Sequence, residues 1–397
     1  MDKNEKAIEV SRRDFVIGAA RGAAGAAAAA GAFSSLGIMA GAASAQTAPE
    51  QQAEGAKKAL RVGMMSTWHV HAIGYADQLK ELPNVRITAV YDEPFGRGDS
   101  IASRLMGGQA WAARLGVPFE SNLEKFLQRD DVDAVVVCAP TNKHAEIMVA
   151  AARAGKHIFT EKVMALTVEE CRLIADAVNK AGVKFCISFP ARCSPQHLYA
   201  KKVADEGLIG RITLLRVRTA HNGASAGWLP AHFYDPVACG GGAMIDLGAH
   251  PMYLARWILG KPARISSMFN YVTGRKVEDN AVCTIEFANK AVAVVETSFV
   301  STHSPSLLEM HGTVGTLFIG GPEDKVLIRS AKVGAKGEKW ITPQELPPAL
   351  PSPIRQWVGA ILEGGQIHFG LEDGTQLTEL MEKAYLSHRT GKVVEFA

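Results

Sequence analysis

The sequence is poor in the features that mark several large classes of protein. Its 43 Lys and Arg nearly balance 40 Asp and Glu, for a net charge of +3, so no charged face is broad enough to track a nucleic-acid backbone. Aromatic residues make up only 7% of the chain, and no basic stripe interleaves with them. Nucleic-acid binding is not expected. The six cysteines, at positions 138, 171, 186, 193, 239 and 283, include no CxxC pair, which removes the usual zinc and dithiol motifs. Several lie in apolar runs such as VVVCAP and KFCISF, where Cys behaves as a small core residue. No disulfide is expected, Cys186 and Cys193 being the one close pair in sequence. The nearest approach to a membrane span is an Ala/Gly-rich run near the start, weakly hydrophobic and broken by Arg21. An integral membrane protein is therefore not expected.

What is present is a chain of 397 residues, 47% hydrophobic and 21% charged, enough to bury a large core and form two domains. Residues 1–45 read as an export leader. A polar start precedes Ser11-Arg12-Arg13-Asp14-Phe15-Val16, and Ala43-Ser44-Ala45 offers the small residues of a cleavage site, the pattern of a twin-arginine signal. The expectation is export in the folded state by the Tat translocon to the periplasm, with residues 46–58 as a polar linker.

From Ala59 short apolar runs alternate with amphipathic segments. ALRVGMM, VRITAVYD, DAVVVCAP, KHIFTEK and KFCISF read as strands; AIGYADQLKEL, SNLEKFLQR, KHAEIMVAAARAG and VEECRLIADAVNKAG read as helices. That alternation predicts a doubly wound parallel sheet over residues 59–190. Beyond it, TLLRVRTA, ARISSMFNYVT, NAVCTIEFAN, AVAVVETSFV and LLEMHG follow one another with few helices between. Residues 191–397 are expected to form an α+β domain with one large, mostly antiparallel sheet, whose helices are GGAMIDLGAHPMYLARWILG and QLTELMEKAYLSHRTG.

The most informative absence is local. A strand, tight turn and helix at 61–72 is the place for a dinucleotide-binding loop, yet the G-x-G-x-x-G fingerprint would fall on Ser66-Thr67-Trp68-His69-Val70-His71, with every glycine replaced. Alone, such a turn is an ordinary strand-to-helix connection. Asp92 changes the reading: it ends the second strand 26 positions after Ser66, close to where an acidic side chain accepts hydrogen bonds from a cofactor ribose. An Asp there favours NAD, and nearby Arg97 leaves NADP possible.

Three further motifs lie at places where ligands bind. Thr160-Glu161-Lys162 ends a strand at the carboxyl edge of the sheet, and burial is expected to lower the Lys162 pKa toward useful acid/base values. Ala139-Pro140-Thr141-Asn142-Lys143-His144 ends another strand, and Pro140, Thr141 and His144 are candidate cofactor contacts. Asp246 and His250, four apart after Gly240-Gly241-Gly242, are expected to share one helix face. A metal could use that pair, but no third ligand accompanies it, and no metal is expected.

Together these segments resemble the Gfo/Idh/MocA oxidoreductases. The similarity covers nearly all of 59–397 and rests on the 61–71 turn, AVYDE, CAPTNKH, AGKHIFTEKV and DLGAH. The family's E-K-P is matched by Glu161-Lys162, with Val163 for Pro; its D-x-G-x-H-x-x-D is matched by Asp246, Gly248 and His250, with Tyr253 for the last Asp. The resemblance implies a nicotinamide cofactor held by Ser66, Thr67, Trp68, His69, His71, Asp92, Pro140, Thr141, His144, Glu161 and Lys162. It implies a sugar, cyclitol or glycoside substrate held by Asp246, His250 and Tyr253. The hydroxyl proton would pass to Lys162 or His250, with Asp246 orienting the substrate, and the outer face of the second sheet would make homo-oligomer contacts. Export adds an expectation: the cofactor is loaded before translocation, enclosed by side chains such as Trp68, and regenerated within the cycle. Sugar-to-sugar hydride exchange and redox-neutral glycoside cleavage both satisfy that. A cofactor-free sugar-binding or accessory protein is the reading of a different class.

Overall fold

A computed structural model describes residues 59–93, 107–334 and 337–396. The expected leader, the linker up to Lys58 and Arg97 lie outside the described residues.

The first half builds a six-stranded parallel sheet. Strand β1 (Leu60–Met65) leads to helix α1 (His71–Lys80), β2 (Val85–Tyr91), α2 (Gly108–Leu115), β3 (Phe119–Glu120), α3 (Leu123–Leu127) and β4 (Ala134–Val137). Then come α4 (His144–Arg153), β5 (His157–Thr160), α5 (Val168–Ala181) and β6 (Phe185–Ile187). The strand order is β3-β2-β1-β4-β5-β6, every pair parallel. Such a sheet is covered on both faces, so its strands can be apolar throughout; β4, AVVV, is buried at every position. Helix α5 is fixed at its start by reciprocal hydrogen bonds of Thr167 and Glu170 and stops at Gly182, in the left-handed conformation. Strand order reverses between β1 and β4, which opens a crevice at their carboxyl ends.

The second half adds α6 (Pro195–Asp205), β7 (Ile212–Ala220), α7 (Pro236–Cys239), α8 (Ala243–Asp246), α9 (Ala249–Leu259) and the strands β8 (Pro262–Asn270), β9 (Asn280–Phe287) and β10 (Val292–Ser298). After β11 (Leu307–Gly312), β12 (Gly315–Gly320) and β13 (Lys325–Ser330) the chain forms α10 (Pro353–Glu363), α11 (Leu371–Thr390) and β14 (Val394–Glu395). The sheet order is β13-β12-β11-β7-β10-β9-β8-β14. All its pairs are antiparallel except β7 with β10. One face is apolar: Ala281, Cys283, Ile285 and Phe287 of β9 are buried while Val282 and Thr284 point outward. The other face carries cross-strand ion pairs, Arg216 with Glu296 at 2.7 Å and Arg264 with Glu286 at 2.6 Å.

One hydrophobic core runs from Val135 and Ile187 of the first sheet through Phe189 and Met252 to Ile285 and Val295 of the second. Helix α10 follows the second sheet in sequence but packs on the first, with Ile354, Trp357 and Val358 against Val62, Leu79 and Cys186. The expected single helix over the DLGAH segment is two, α8 and α9, with a turn at Leu247–Gly248. Among the described residues no helix is long and apolar enough to cross a membrane, and all six cysteines are free and buried.

Candidate active site

The turn after β1 is held from both neighbouring strands. Ser66 N–H donates to Tyr91 O at 2.7 Å and His69 N–H to Cys138 O at 3.0 Å, so the turn spans the crevice between β1 and its neighbours. Ser66 adopts φ +70°, the left-handed region that a glycine enters at no steric cost. Its hydroxyl accepts Trp68 N–H at 3.0 Å, and a local side-chain bond of this kind offsets part of that cost. The glycine-free sequence thus reaches a glycine-like backbone by another route. Ser66, Thr67, Trp68 and His69 are all buried.

Asp92 stands at the end of β2 with its Oδ2 accepting Gly108 N–H at 3.0 Å and 3.4 Å from the Thr67 hydroxyl. Its carboxylate is therefore at the same edge as the turn. Trp68 is placed differently from expectation. Its ring stacks on Phe233 (5.6 Å between centroids) and meets His232 at 4.8 Å, so it bridges the turn to the second half of the chain while lining the same concavity as Lys162.

Behind the turn lies a polar cluster. The buried Glu161 carboxylate contacts His71 Nδ1 through Oε2; the same oxygen accepts the Tyr75 hydroxyl at 2.9 Å, and that hydroxyl also meets Ser188 Oγ at 2.7 Å. Oε1 accepts Lys162 N–H at 3.0 Å. Burial opposes the charge, but His71, His69 and Lys162 together pull this carboxyl well below the usual range. His69 Nδ1 lies 3.7 Å from Glu161 Oε2, and His69 Nε2 3.8 Å from Asp246 Oδ1.

Lys162 leaves β5 and crosses to the second half, where Nζ donates to Asp246 Oδ1 at 2.6 Å and to the Asp246 carbonyl at 3.0 Å. The peptide bond that follows, to Val163, is cis. Here the expected depression of the Lys162 pKa is corrected. Burial does push it down, but the Asp246 and Glu161 carboxylates outweigh burial and the net shift is upward. Lys162 is an ammonium ion in this arrangement, and burial of Asp246 is in turn overcome by Lys162, which holds its carboxyl well below the ordinary value.

Asp246 reaches Lys162 because α8 is braced by Glu278. Glu278 Oε1 accepts Gly242 N–H and Met244 N–H, each at 2.9 Å, and the Tyr385 hydroxyl at 2.6 Å. The glycines before α8 are needed for this closeness: a Cβ on Gly241 would fall 1.9 Å from Tyr385 Oη, and one on Gly242 2.0 Å from Glu278 O. Asp246 and His250, expected on one helix face, are not hydrogen-bonded to each other, but both lie close enough to Lys162 to feel its charge. With the helix divided, Asp246 turns to Lys162, while His250 Nδ1 meets Tyr253 Oη at 2.9 Å. Tyr253 Oη also accepts Ala191 N–H at 3.2 Å, and its ring stacks on Phe189 at 4.2 Å. Which of the two groups donates depends on the His250 tautomer; with Nδ1–H donating to Tyr253 Oη, Nε2 is left as the open acceptor. Burial and the Lys162 charge press the His250 pKa down to about 3, so the ring is neutral.

His144 is structural. Both ring nitrogens face carbonyls, Nε2 that of Ala139 at 3.0 Å and Nδ1 those of Val163 at 3.0 Å and Met164 at 3.2 Å. It ties the end of β4 to the segment carrying Lys162 and has no ring nitrogen left for a cofactor. Pro140 and Thr141 open the short 3-10 turn before α4, and Thr141 shares one concavity with Trp68, His69, Lys162, Phe233 and Asp246. Sequence reasoning missed Tyr75, Ser188, Phe233, Glu278 and Tyr385. Glu278 sits in a polar turn between strands, and nothing in RKVEDN sets it apart from a solvated acid.

The residues present fit a dinucleotide: a left-handed turn tied across the strand-order reversal, an acid closing β2, and a lysine and a second carboxylate at the same edge. Comparison with known proteins agrees. Residues 57–189 match "Oxidoreductase family, NAD-binding Rossmann fold", and residues 197–318 match "GFO/IDH/MocA C-terminal domain". The chain is 30% identical to scyllo-inositol 2-dehydrogenase (NAD(+)) of Bacillus subtilis, over 69% of this chain and 76% of that one. It is 30% identical to levoglucosan dehydrogenase of Pseudarthrobacter phenanthrenivorans, over 50% and 57%. Among solved structures, GenD2 from gentamicin A biosynthesis, in complex with NAD, superposes with a TM-score of 0.69 at 25% identity, over 86% of this chain and 97% of that one. The chain belongs to the Gfo/Idh/MocA family of oxidoreductases, with an NAD-binding Rossmann sheet as its first half.

Proposed function

We propose that this protein oxidises a secondary hydroxyl of a sugar or cyclitol, with the site at the carboxyl ends of β1, β4 and β5. The single observation that carries the reading is the buried Lys162–Asp246 pair at 2.6 Å, in the concavity that also holds Thr141 and the turn after β1. The names of the two dehydrogenases, one acting on an inositol and one on levoglucosan, support the substrate class. NAD supplies the hydride acceptor. It would be held by Ser66, Thr67, His69 and His71 at the turn, by Asp92 at the ribose, and by Pro140 and Thr141 beside β4.

The protonation states divide the labour. Lys162, kept charged by Asp246, stabilises negative charge developing on the substrate oxygen. His250, neutral and oriented by Tyr253, is the group able to accept the hydroxyl proton. Asp246 fixes the Lys162 ammonium and Glu161 the start of its segment.

We also propose that residues 1–45 export the folded chain to the periplasm, on the strength of the Arg12-Arg13 motif. The cofactor would then travel with the chain; the burial of Ser66, Thr67, Trp68 and His69 supports retention. Purified full-length protein tested with NAD against inositols, hexoses and anhydrosugars should reduce the cofactor with at least one of them. Lys162→Met should lower turnover by roughly 100- to 10,000-fold. Equal turnover in that variant would remove Lys162 from the mechanism.

A further inference from the structure

Beside the roles given to them above, His69, His71 and Glu161 converge with one ligand atom each on a single point. We propose that these three side chains bind a divalent transition-metal ion of the zinc class. The donor set, two imidazoles and one carboxylate, is that of many zinc, iron and cobalt sites. One ligand atom from each residue lies within 4.8 Å of the others, and His69 Nδ1 is already 3.7 Å from Glu161 Oε2. Ligand atoms about 2.0–2.2 Å from a tetrahedral ion stand roughly 3.3–3.5 Å apart, so a side-chain adjustment of about an ångström closes the site.

A second observation points the same way. The His69 side chain is 9% exposed, and its Nε2 is buried without a hydrogen-bond partner. Nε2 faces Asp246 Oδ1 at 3.8 Å, and Nδ1 is on the Glu161 side. In a metal-ligating histidine the far nitrogen carries its proton and points to a carboxylate, which orients the ring. His69 has that layout: Nδ1 toward the proposed ion, Nε2–H toward Asp246. Without an ion, Nδ1 only receives His71 N–H at 3.2 Å and a buried N–H is left unpaired, an arrangement that is costly in a protein interior. Tyr75 bonds the ligating oxygen of Glu161 and Lys162 N–H bonds the other oxygen, the outer support expected of a ligating carboxylate.

The site has three protein ligands, and His69 borders the concavity shared with Thr141, Lys162 and Asp246. A fourth position on that side would take an oxygen ligand, water or a substrate hydroxyl. The test is metal binding alone and does not depend on the dehydrogenase reading. Untagged full-length protein, stripped with a chelator, is titrated with Zn2+ by calorimetry and with Co2+ by visible absorption. A single saturating site with micromolar or tighter Kd and a Co2+ spectrum of nitrogen ligation is expected. His71→Ala, a change at a half-exposed side chain, should weaken binding by about 100-fold or more, and Asp246→Asn by about 10- to 100-fold. Both variants are checked for native circular dichroism. If either misfolds, the Co2+ spectrum of the wild type decides. Zn2+ binding that is no tighter in the wild type than in His71→Ala, or the lack of a Co2+ spectrum of this kind, would overturn the proposal.

Discussion

Replacing Asp246 by Asn should destabilise the protein more than replacing Asp246 and Lys162 together. Asp246 Oδ1 and Lys162 Nζ are 2.6 Å apart with side chains 18% and 2% exposed, so the ammonium in particular has no water as an alternative partner. Removing the carboxylate leaves a buried ammonium whose remaining anionic neighbour is Glu161, while burial itself disfavours the charge. Breaking a buried pair from one side costs about 3–5 kcal/mol, whereas replacing both members by uncharged groups is often close to neutral. The cycle of Asp246→Asn, Lys162→Met and the double variant should therefore show a coupling of about 3 kcal/mol or more, a roughly 150-fold or larger effect on the unfolding constant. Urea unfolding followed by tryptophan fluorescence measures it, as a shift of midpoint at unchanged m-value. A coupling under about 0.5 kcal/mol would mean that water or a mobile side chain screens the pair, and the charged state assigned to Lys162 would fall with it.

Other consequences are open to measurement. Gly241→Ala should push α8 away from Tyr385, since the added Cβ would sit 1.9 Å from its hydroxyl oxygen; a stability loss of about 1–3 kcal/mol and a fall in kcat are expected in unfolding and turnover assays. Trp68→Gly removes a ring buried against Phe233 and His232 and should cost about 3–5 kcal/mol and speed cofactor loss on gel filtration; unchanged or tighter retention would remove the enclosure argument. His250 has a folded-state pKa lowered to about 3 from 6.5. The stability it contributes is present above pH 6.5 and is lost as pH falls through that window toward 3, on the order of a few kcal/mol. His250→Gln should therefore flatten the acid side of the thermal-midpoint profile. Glu278 behaves oppositely. Burial raises its pKa against the pull of Tyr385 and three backbone N–H groups, so its favourable contribution is present at pH below the unfolded value and is lost as pH rises through the folded one. Glu278→Gln should gain relative to wild type on going from acid to neutral pH.

The parallel sheet was legible because its strands are continuous apolar runs and its helices amphipathic; VVVCAP and HIFTEK place Pro140 and Lys162 at one edge by period and length alone. Asp92 was legible from its distance past the turn. The partners of Asp246 and His250 were not, because a spacing of four reports a shared face but not that one side chain will meet Lys162 and the other Tyr253. The direction of the Lys162 shift was misread for a related reason: a sequence shows burial, but not that a carboxylate 84 positions away would lie at hydrogen-bond distance. Helix α10 was missed because PPALPSP, which ends in Pro353, reads as loop. The histidines at 69 and 71 were read one at a time as phosphate contacts; their convergence on Glu161 depends on β5 ending beside the β1 turn, which only the strand order supplies.

Transfer of a carbon-bound hydrogen from a polyhydroxylated substrate to NAD at the Lys162 site is the core of the proposed function. It is tested most directly with an inositol or sugar deuterated at each ring carbon, incubated with the purified protein and NAD, and mass analysis of the recovered nicotinamide. One deuterium is expected on the reduced nicotinamide ring with wild-type protein, and a rate lower by roughly 100-fold or more with Lys162→Met. Reduced cofactor without deuterium, or equal rates in the two proteins, would contradict it.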